Sequence, residues 1–210
     1  AMGMSRFVGK LHALTAKRKR ADAAREALAM ASKDCEDEVA RLRRLRPPHS
    51  LLEGSGGRIE QLLGAIDQAS AEGLDVETAK AALEAARELS ELRCTTSERL
   101  AQAVKAAVDA TEMSWKLTQE EMAQALAELS EVQKLAEPAL VSRDADEFAK
   151  GALQRLSRLS GGREKALAKL REALAALELL AGSEDEEVLK RCANELRGVI
   201  AAAEKANCDK

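Results

Sequence analysis

Apolar residues recur along this chain at intervals of three and four, and nowhere does a stretch alternate at intervals of two. The longest stripe runs Val104, Val108, Thr111, Trp115, Thr118, Met122, Ala125, Leu129, Val132, Ala136. Its 4-3 spacing keeps one face of an α-helix turned toward a partner for about nine turns. The phase is unbroken, so it predicts one continuous helix over 97–136, opened by the capping-box pair Thr95 and Glu98. Thr118 and Glu121 repeat that pair inside the stripe and mark Leu117 as the place where a break would fall.

The other elements follow from the same periodicity. Phe7, Val8, Leu11 and Leu14, then Ala21, Ala24, Leu28, Ala31, Cys35, Val39, Leu42 and Leu45, predict a helix over 5–46. Pro47-Pro48 ends it, because the residue before a proline is pushed out of the α region. A Gly, Ser and Pro-rich linker follows at 47–57, with Leu51 and Leu52 tucking onto the bundle. Ile59, Leu62, Leu63, Ile66 and Ala69 line the next helix, and Val76, Ala79, Leu83, Ala86 and Leu89 line the one after. Between them Gly73 has the position of a left-handed C-terminal residue and Asp75 that of an N-cap. The spacing leaves open whether these two arms form a hairpin or a kinked rod.

Pro138 closes the long helix. Asp144 with Glu147 caps a helix bearing Ala145, Phe148, Ala149, Ala152, Leu156 and Leu159, which Ser160-Gly161-Gly162 interrupts. Leu167, Leu170, Leu174, Leu177 and Ala181 predict the next helix. Past Gly182, Ser183 with Glu186 opens the last, on Leu189, Cys192, Leu196, Val199 and Ala203, fraying near Asn207. The predicted fold class is all-α: an elongated antiparallel helical bundle or coiled coil of about six to seven helices, without strands. Residues 1–3 read as a cloning remnant before Met4, 4–46 as a long basic helix and 47–57 as the linker. Residues 58–206 read as the bundle, with 4–46 packed on it, and 207–210 as a frayed tail.

Composition narrows the picture. Hydrophobic residues are 46 % of 210, too many for a disordered chain, yet aromatics are 1 %: two Phe, one Trp and no Tyr. Alanine dominates the rest; it favours helix and buries little area, which argues for slim helices packed closely and against a three-layer α/β core. The net charge of −3 hides an asymmetry, since residues 4–46 hold twelve basic against six acidic side chains. Cys35, Cys94, Cys192 and Cys208 lack CxxC spacing and no secretory apolar segment precedes them. They read as reduced thiols of an intracellular, cytoplasmic chain, Cys35 and Cys192 as small core residues and Cys208 in the tail. No apolar run approaches the roughly 20 residues of a membrane span.

One segment, Leu63-Gly64-Ala65-Ile66-Asp67-Gln68-Ala69-Ser70-Ala71-Glu72-Gly73-Leu74-Asp75 with the Ala-rich helix after it, resembles a known type. It is similar to the Ala-rich helical hairpins inside large algal and protist multidomain proteins, which share an apolar-xx-Ala-xxx-Gly-Leu-Asp turn. The resemblance covers about 35 of the 210 residues. It implies a structural or interaction role in a eukaryotic protein and carries over no catalytic residue.

Candidate chemistry is sparse. His12 and His49 have no carboxylate or Cys at ligand spacing, so no metal site, cofactor site or catalytic residue is assigned. Ser55-Gly-Gly57-Arg58 and Ser160-Gly-Gly162-Arg163 place glycines and an Arg ahead of an expected helix N-terminus, where backbone N–H groups can hold a phosphate. Neither has P-loop spacing or a preceding strand, and both read as helix connections. The sharpest local feature is Lys17-Arg18-Lys19-Arg20, which fits phosphates, an acidic partner or anionic lipid. No aromatics interleave for base stacking, and the absence of Trp or Phe clusters argues against a membrane. Trp115 has a seam position and packs in the core, unless a break near Leu117 puts it at a hinge.

These readings point to a non-enzymatic scaffold or adaptor that binds protein partners, a second copy of the chain among them, through helical faces. The alternative is binding of nucleic acid or an acidic surface by the basic first helix. The candidate partner-binding residues are Lys17, Arg18, Lys19, Arg20 and Trp115. Leu28, Cys35, Leu42, Met122 and Leu129 are the seam positions to test with Trp115.

Overall fold

A computed structural model describes residues 2–180 and 186–205. The side chains of residues 2–7, Trp115, Leu177, Leu180, Glu186 and Leu189 lie outside that description. The protein is all-α, with six α-helices, one 3-10 helix and no strand among the described residues. The helices are α1 (Met2–Leu45), α2 (Arg58–Ala71), α3 (Glu77–Glu112), α4 (Gln119–Ala136), α5 (Arg143–Leu180) and α6 (Glu186–Lys205). The 3-10 helix is Ser114–Lys116. The expected Ser183–Glu186 cap, Gly182 and the tail with Cys208 fall outside the described residues. The chain forms two compact units, 1–96 with 138–143, and 97–137 with 144–210. The composition shift at 47–57 is thus a connection inside the first unit.

In the first unit, α1, α2 and the first half of α3 enclose one core of Cys35, Leu42, Leu52, Leu62, Ile66, Ala69, Val76, Ala79, Leu83 and Ala86. Of the expected stripe of α1, Ala24, Cys35 and Leu42 are buried and Leu28, Ala31 and Val39 partly buried, while Val8, Leu11, Leu14 and Leu45 are exposed. Leu45 is the last helical residue; Arg46 takes a left-handed φ of 44° just before Pro47. At the other end of α2, Gly73 has φ 75°. Its N–H donates to Ser70 O at 2.9 Å and Leu74 N–H to Ala69 O at 3.0 Å, the paired bonds of a Schellman turn. Asp75 Oδ1 accepts from Glu77 N at 3.1 Å and opens α3. Gly57, before α2, is required for space: a Cβ there would stand 2.7 Å from the Glu53 carbonyl. Leu52 in the connection is fully buried, whereas Leu51 is exposed.

The segment 138–143 belongs to this unit because the end of α1 holds it. Arg46 Nε donates to Val141 O at 2.8 Å, Arg143 N to Arg46 O at 3.0 Å, and Arg143 Nη2 to Arg44 O at 3.0 Å. Leu140 packs against the core and Val141 is 1 % exposed.

Four expectations are corrected here. First, α3 does not start at Thr95. That residue lies inside the helix, its Oγ1 donating back to Glu91 O and Leu92 O, and the buried face runs through Ser90, Arg93 and Thr96 to Leu100. Second, the stretch 97–136 is not one helix. It stops at Glu112, makes the 3-10 turn, and restarts at Gln119 on a complete capping box. Glu121 N donates to Thr118 Oγ1 at 3.2 Å and Thr118 N to Glu121 Oε2 at 2.8 Å. The Thr118 N–H and hydroxyl hold the exposed Glu121 carboxylate below its usual pKa. The seam expected of this stretch survives in α4, where Met122, Leu129, Val132 and Ala136 are buried. In α3 the buried side is Leu100, Ala103, Ala107 and Ala110, with Val104 at its edge.

Third, Ser160-Gly161-Gly162 does not interrupt. Helix α5 runs through it to Leu180, so neither a helix N-terminus nor a phosphate cradle exists ahead of Arg163. Fourth, Asp144 does not cap α5. It lies in the first turn of a helix that begins at Arg143, where its charge still favours the helix dipole. The buried face of α5 is also rotated from the expected one: Ala145 and Phe148 are exposed, while Asp146, Ala149, Ala152, Leu156, Ser160 and Arg163 are buried. Further along, Ala166 and Leu167 pack with Ala203 of α6. Cys192, expected in the core, is half-buried.

Candidate functional sites

Both units bury polar side chains, and Glu38, Arg93 and Arg163 among them hold irregular backbone. In the first unit Glu38, 4 % exposed on α1, accepts from Arg41 Nε at 2.6 Å, Arg41 Nη2 at 2.8 Å and Leu51 N at 2.8 Å. Burial alone would raise its pKa. The Arg41 hydrogen bonds, the Leu51 N–H and the charges of Arg41 and Arg58 outweigh burial and hold it below the usual carboxylate value. Arg93 of α3 donates to Pro47 O, and Ser90 Oγ to Glu53. Arg41 Nη2 also donates to His49 O at 3.2 Å, so four helix positions, Glu38, Arg41, Ser90 and Arg93, fasten the connection 47–57. In the second unit Arg163, 2 % exposed, donates to Ser114 O at 3.1 Å and to Leu117 O, and its Nη1 lies 3.4 Å from the Met122 sulfur. Both carbonyls lie between the end of α3 and the start of α4, that of Ser114 also accepting from Leu117 N at 3.4 Å, so the buried guanidinium fastens the break. Gln119 Nε2 donates to Ser160 Oγ at 3.1 Å and Gln133 Nε2 to Asp146 Oδ1 at 3.0 Å, tying α4 to α5. Polar groups spent on backbone in this way are structural.

Besides an open cleft between Ala166 and Ala173 of α5 and Val199 and Ala202 of α6, three surface features bear on function. Every residue of α1 from Val8 to Arg20 is exposed, and this arm carries Lys17, Arg18, Lys19 and Arg20. Arg18 Nε stands 4.0 Å from Asp22 Oδ2 with both side chains exposed, a pair of little energetic weight. The second feature is an open cleft in the first unit, about 610 Å³, lined by Cys35, Val39, Arg43, Ala82, Ala86 and Leu89 among others. Alanines on α3 leave it wide. Burial pushes the Cys35 thiol pKa up, and Glu36 adds to this, so the thiol is a poor nucleophile.

The third is an apolar cleft in the second unit, about 400 Å³, between Leu100, Ala101, Val104 and Val108 of α3 and Ala145 and Phe148 of α5. Phe148 is one of only two phenylalanines and is 56 % exposed. The sequence missed it by counting Phe148 as core. The available signal was phase, since Ala149, Leu156, Ser160 and Arg163 share a face that excludes residue 148.

Of the sequence-predicted site residues, Lys17 to Arg20 stand together on the exposed arm. Trp115 lies in the 3-10 helix, at the break, and its side chain is outside the description. Cys35, Leu42, Met122 and Leu129 are buried and Leu28 packs at the edge of the core. His12 and His49 are exposed. Among the described residues no group of three or more His, Cys, Asp or Glu side chains is placed to hold a metal ion. Nor is any helix of the described residues long and apolar enough to cross a membrane.

The fold defines an all-α helical-bundle protein. Compared with protein-family models, with curated proteins and with solved structures, the chain has no significant match.

Proposed function

We propose that the protein is a non-enzymatic scaffold or adaptor that takes a helical segment of a protein partner, or of a second copy, into the Phe148 cleft. The observation that carries this is the cleft itself: Leu100, Val104, Val108 and Phe148 form an open apolar groove between two helices. An amphipathic helix fits such a groove through anchors at i, i+3 and i+4. A half-exposed aromatic beside aliphatic walls has the make-up of a binding hot spot. The resemblance of the α2–α3 hairpin to interaction segments of multidomain proteins is in keeping with that role, as is a cytoplasmic setting.

The test is Phe148→Glu, with Arg158→Glu as an exposed control on the same helix, compared by light scattering for self-association and by pull-down for partners. The reading expects Phe148→Glu to lose an association that the control keeps, with helix content unchanged. Identical assembly and identical partners in both variants would overturn it. A second reading has a separate observation behind it: the fully exposed basic arm of α1 suits an acidic surface.

A further inference from the structure

Residues 8–20 of α1 are helical and exposed without exception, so none of the described residues covers that part of the helix. Val8, Leu11 and Leu14 are 49 %, 50 % and 67 % exposed. At 100° per residue they fall within an arc of about 120°. Positions 6, 10, 17 and 20, all basic, fall in an arc on the other side of the helix. No carboxylate occurs before Asp22, so six basic residues (Arg6, Lys10 and Lys17 to Arg20) stand together, with only the weak, exposed Arg18–Asp22 pair at their edge. The apolar face ends at Leu14, and the next turn, Lys17 to Arg20, is positive on every side.

That arrangement discriminates among acidic surfaces. Nucleic acid would pair with the cations but leave Val8, Leu11 and Leu14 in water. A partner helix would cover the apolar side and meet only part of a charge that circles the axis. A lipid interface meets both: the apolar side enters the boundary of the acyl chains, and long Lys and Arg stems reach anionic headgroups from the flanks and the top. We propose that residues 8–20 of α1 form a membrane-surface helix that binds anionic lipid. The proposal rests on the second reading above and names the surface that reading leaves open. The absence of Trp or Phe clusters counts less against it once Val8, Leu11 and Leu14 are all exposed on one face.

The full chain is tested by co-sedimentation with vesicles of phosphatidylcholine alone and of phosphatidylcholine with phosphatidylserine, and in parallel with duplex DNA. Two variants are compared, one carrying Leu11→Ser and Leu14→Ser, the other carrying Lys17→Gln, Arg18→Gln, Lys19→Gln and Arg20→Gln. All six positions are exposed, and unchanged helix content confirms that each variant folds. Binding is expected to the phosphatidylserine vesicles alone. The four Gln substitutions should weaken it more than about a hundredfold, at roughly fivefold per charge. The two Ser substitutions should weaken it about tenfold or more at unchanged charge. Vesicle binding indifferent to the Ser pair would overturn the proposal. DNA binding that ignores the Ser pair, without vesicle binding, would overturn it and leave the acidic-surface reading standing. A dimer lost on Leu→Ser substitution, again without vesicle binding, would assign the face to a second copy and overturn it. Failure to bind vesicles or DNA would remove both readings.

Discussion

Replacing Arg163 with methionine keeps most of the side-chain volume and removes every donor. The guanidinium is 2 % exposed and serves Ser114 O at 3.1 Å and Leu117 O, both in the segment where α3 has stopped and α4 has not begun. A buried carbonyl that loses its donor costs about 1–3 kcal/mol, while removing a buried charge recovers part of its desolvation. The expected net loss is about 2–4 kcal/mol, a large share of the 5–15 kcal/mol typical of a folded domain. Lysine should recover part of it, because an ammonium keeps the charge and, like Nη1, can donate to both carbonyls from one nitrogen, though its point charge is more costly to bury. Urea unfolding is to be followed by far-UV circular dichroism and by the fluorescence of Trp115. That residue is the chain's single tryptophan and adjoins Ser114 in the 3-10 helix. The Trp115 transition of Arg163→Met should shift to lower urea by more than the helix-averaged one, since the first unit does not contain this site. Arg158→Met, exposed on the same helix, should stay within about 0.5 kcal/mol. A loss below about 1 kcal/mol, with the Trp115 transition in place, would refute the coupling of the break to Arg163.

Two further outcomes follow from particular residues. Gly162 is exposed inside α5 and a Cβ there would meet nothing within 4 Å, so Gly162→Ala should stabilise by about 1 kcal/mol and raise Tm by about 2–4 °C; a fall in Tm would mean that the glycine serves a break after all. Glu38 has a folded pKa held below its unfolded value of about 4.3, so the unfolded state binds more protons between the two values. Its contribution is full above the unfolded value and lost as pH falls through the folded one. The stability gap between wild type and Glu38→Gln, about 1–3 kcal/mol at neutral pH, should therefore close on acidification in urea titrations; a gap that stays constant into acid would contradict the role of the carboxylate.

Local chemistry was legible in the sequence. Gly73, Asp75 and Pro47 each act on neighbours within five residues, and the structure places there a Schellman turn, a carboxylate on the first N–H of α3 one residue ahead of the N-cap position, and a helix end. What the sequence hid is the choice between a helix that stops and one that continues. Thr118 and Glu121 sit in phase with an apolar stripe that favours continuation, and Gly161-Gly162 favours a stop. Both preferences are reversed by one contact, Arg163 on the carbonyls of Ser114 and Leu117, between residues 46 and 49 positions apart. The core was misread for a related reason. Glu38, Ser90, Arg93, Asp146, Ser160 and Arg163 are buried at 3-4 positions, but their polarity breaks the stripe, and some of their partners lie in remote connections. Reading phase without regard to polarity would have joined Leu83 and Ala86 to Leu100 through Ser90 and Arg93, and so recovered the full length of α3. Of the candidate sites, the basic quartet was visible and the Phe148 cleft was not, because its walls come from two helices far apart in sequence.

The clasp between Arg46 and the segment 138–143 bears on the order in which the chain can mature. The first unit lacks Leu140 and Val141 until residues 97–137 have been synthesised, although α1, α2 and most of their core are available long before. A nascent chain therefore carries an incomplete first unit with the α1 carboxyl end unlatched while α4 emerges. When Arg143 arrives and donates to the carbonyls of Arg46 and Arg44, it shuts a loop whose closure entropy grows only slowly with length. The same residue is the first of α5, so the latch and the start of the longest helix of the second unit are set in one step. Synthesis from the amino end makes that residue a checkpoint for both halves of the molecule.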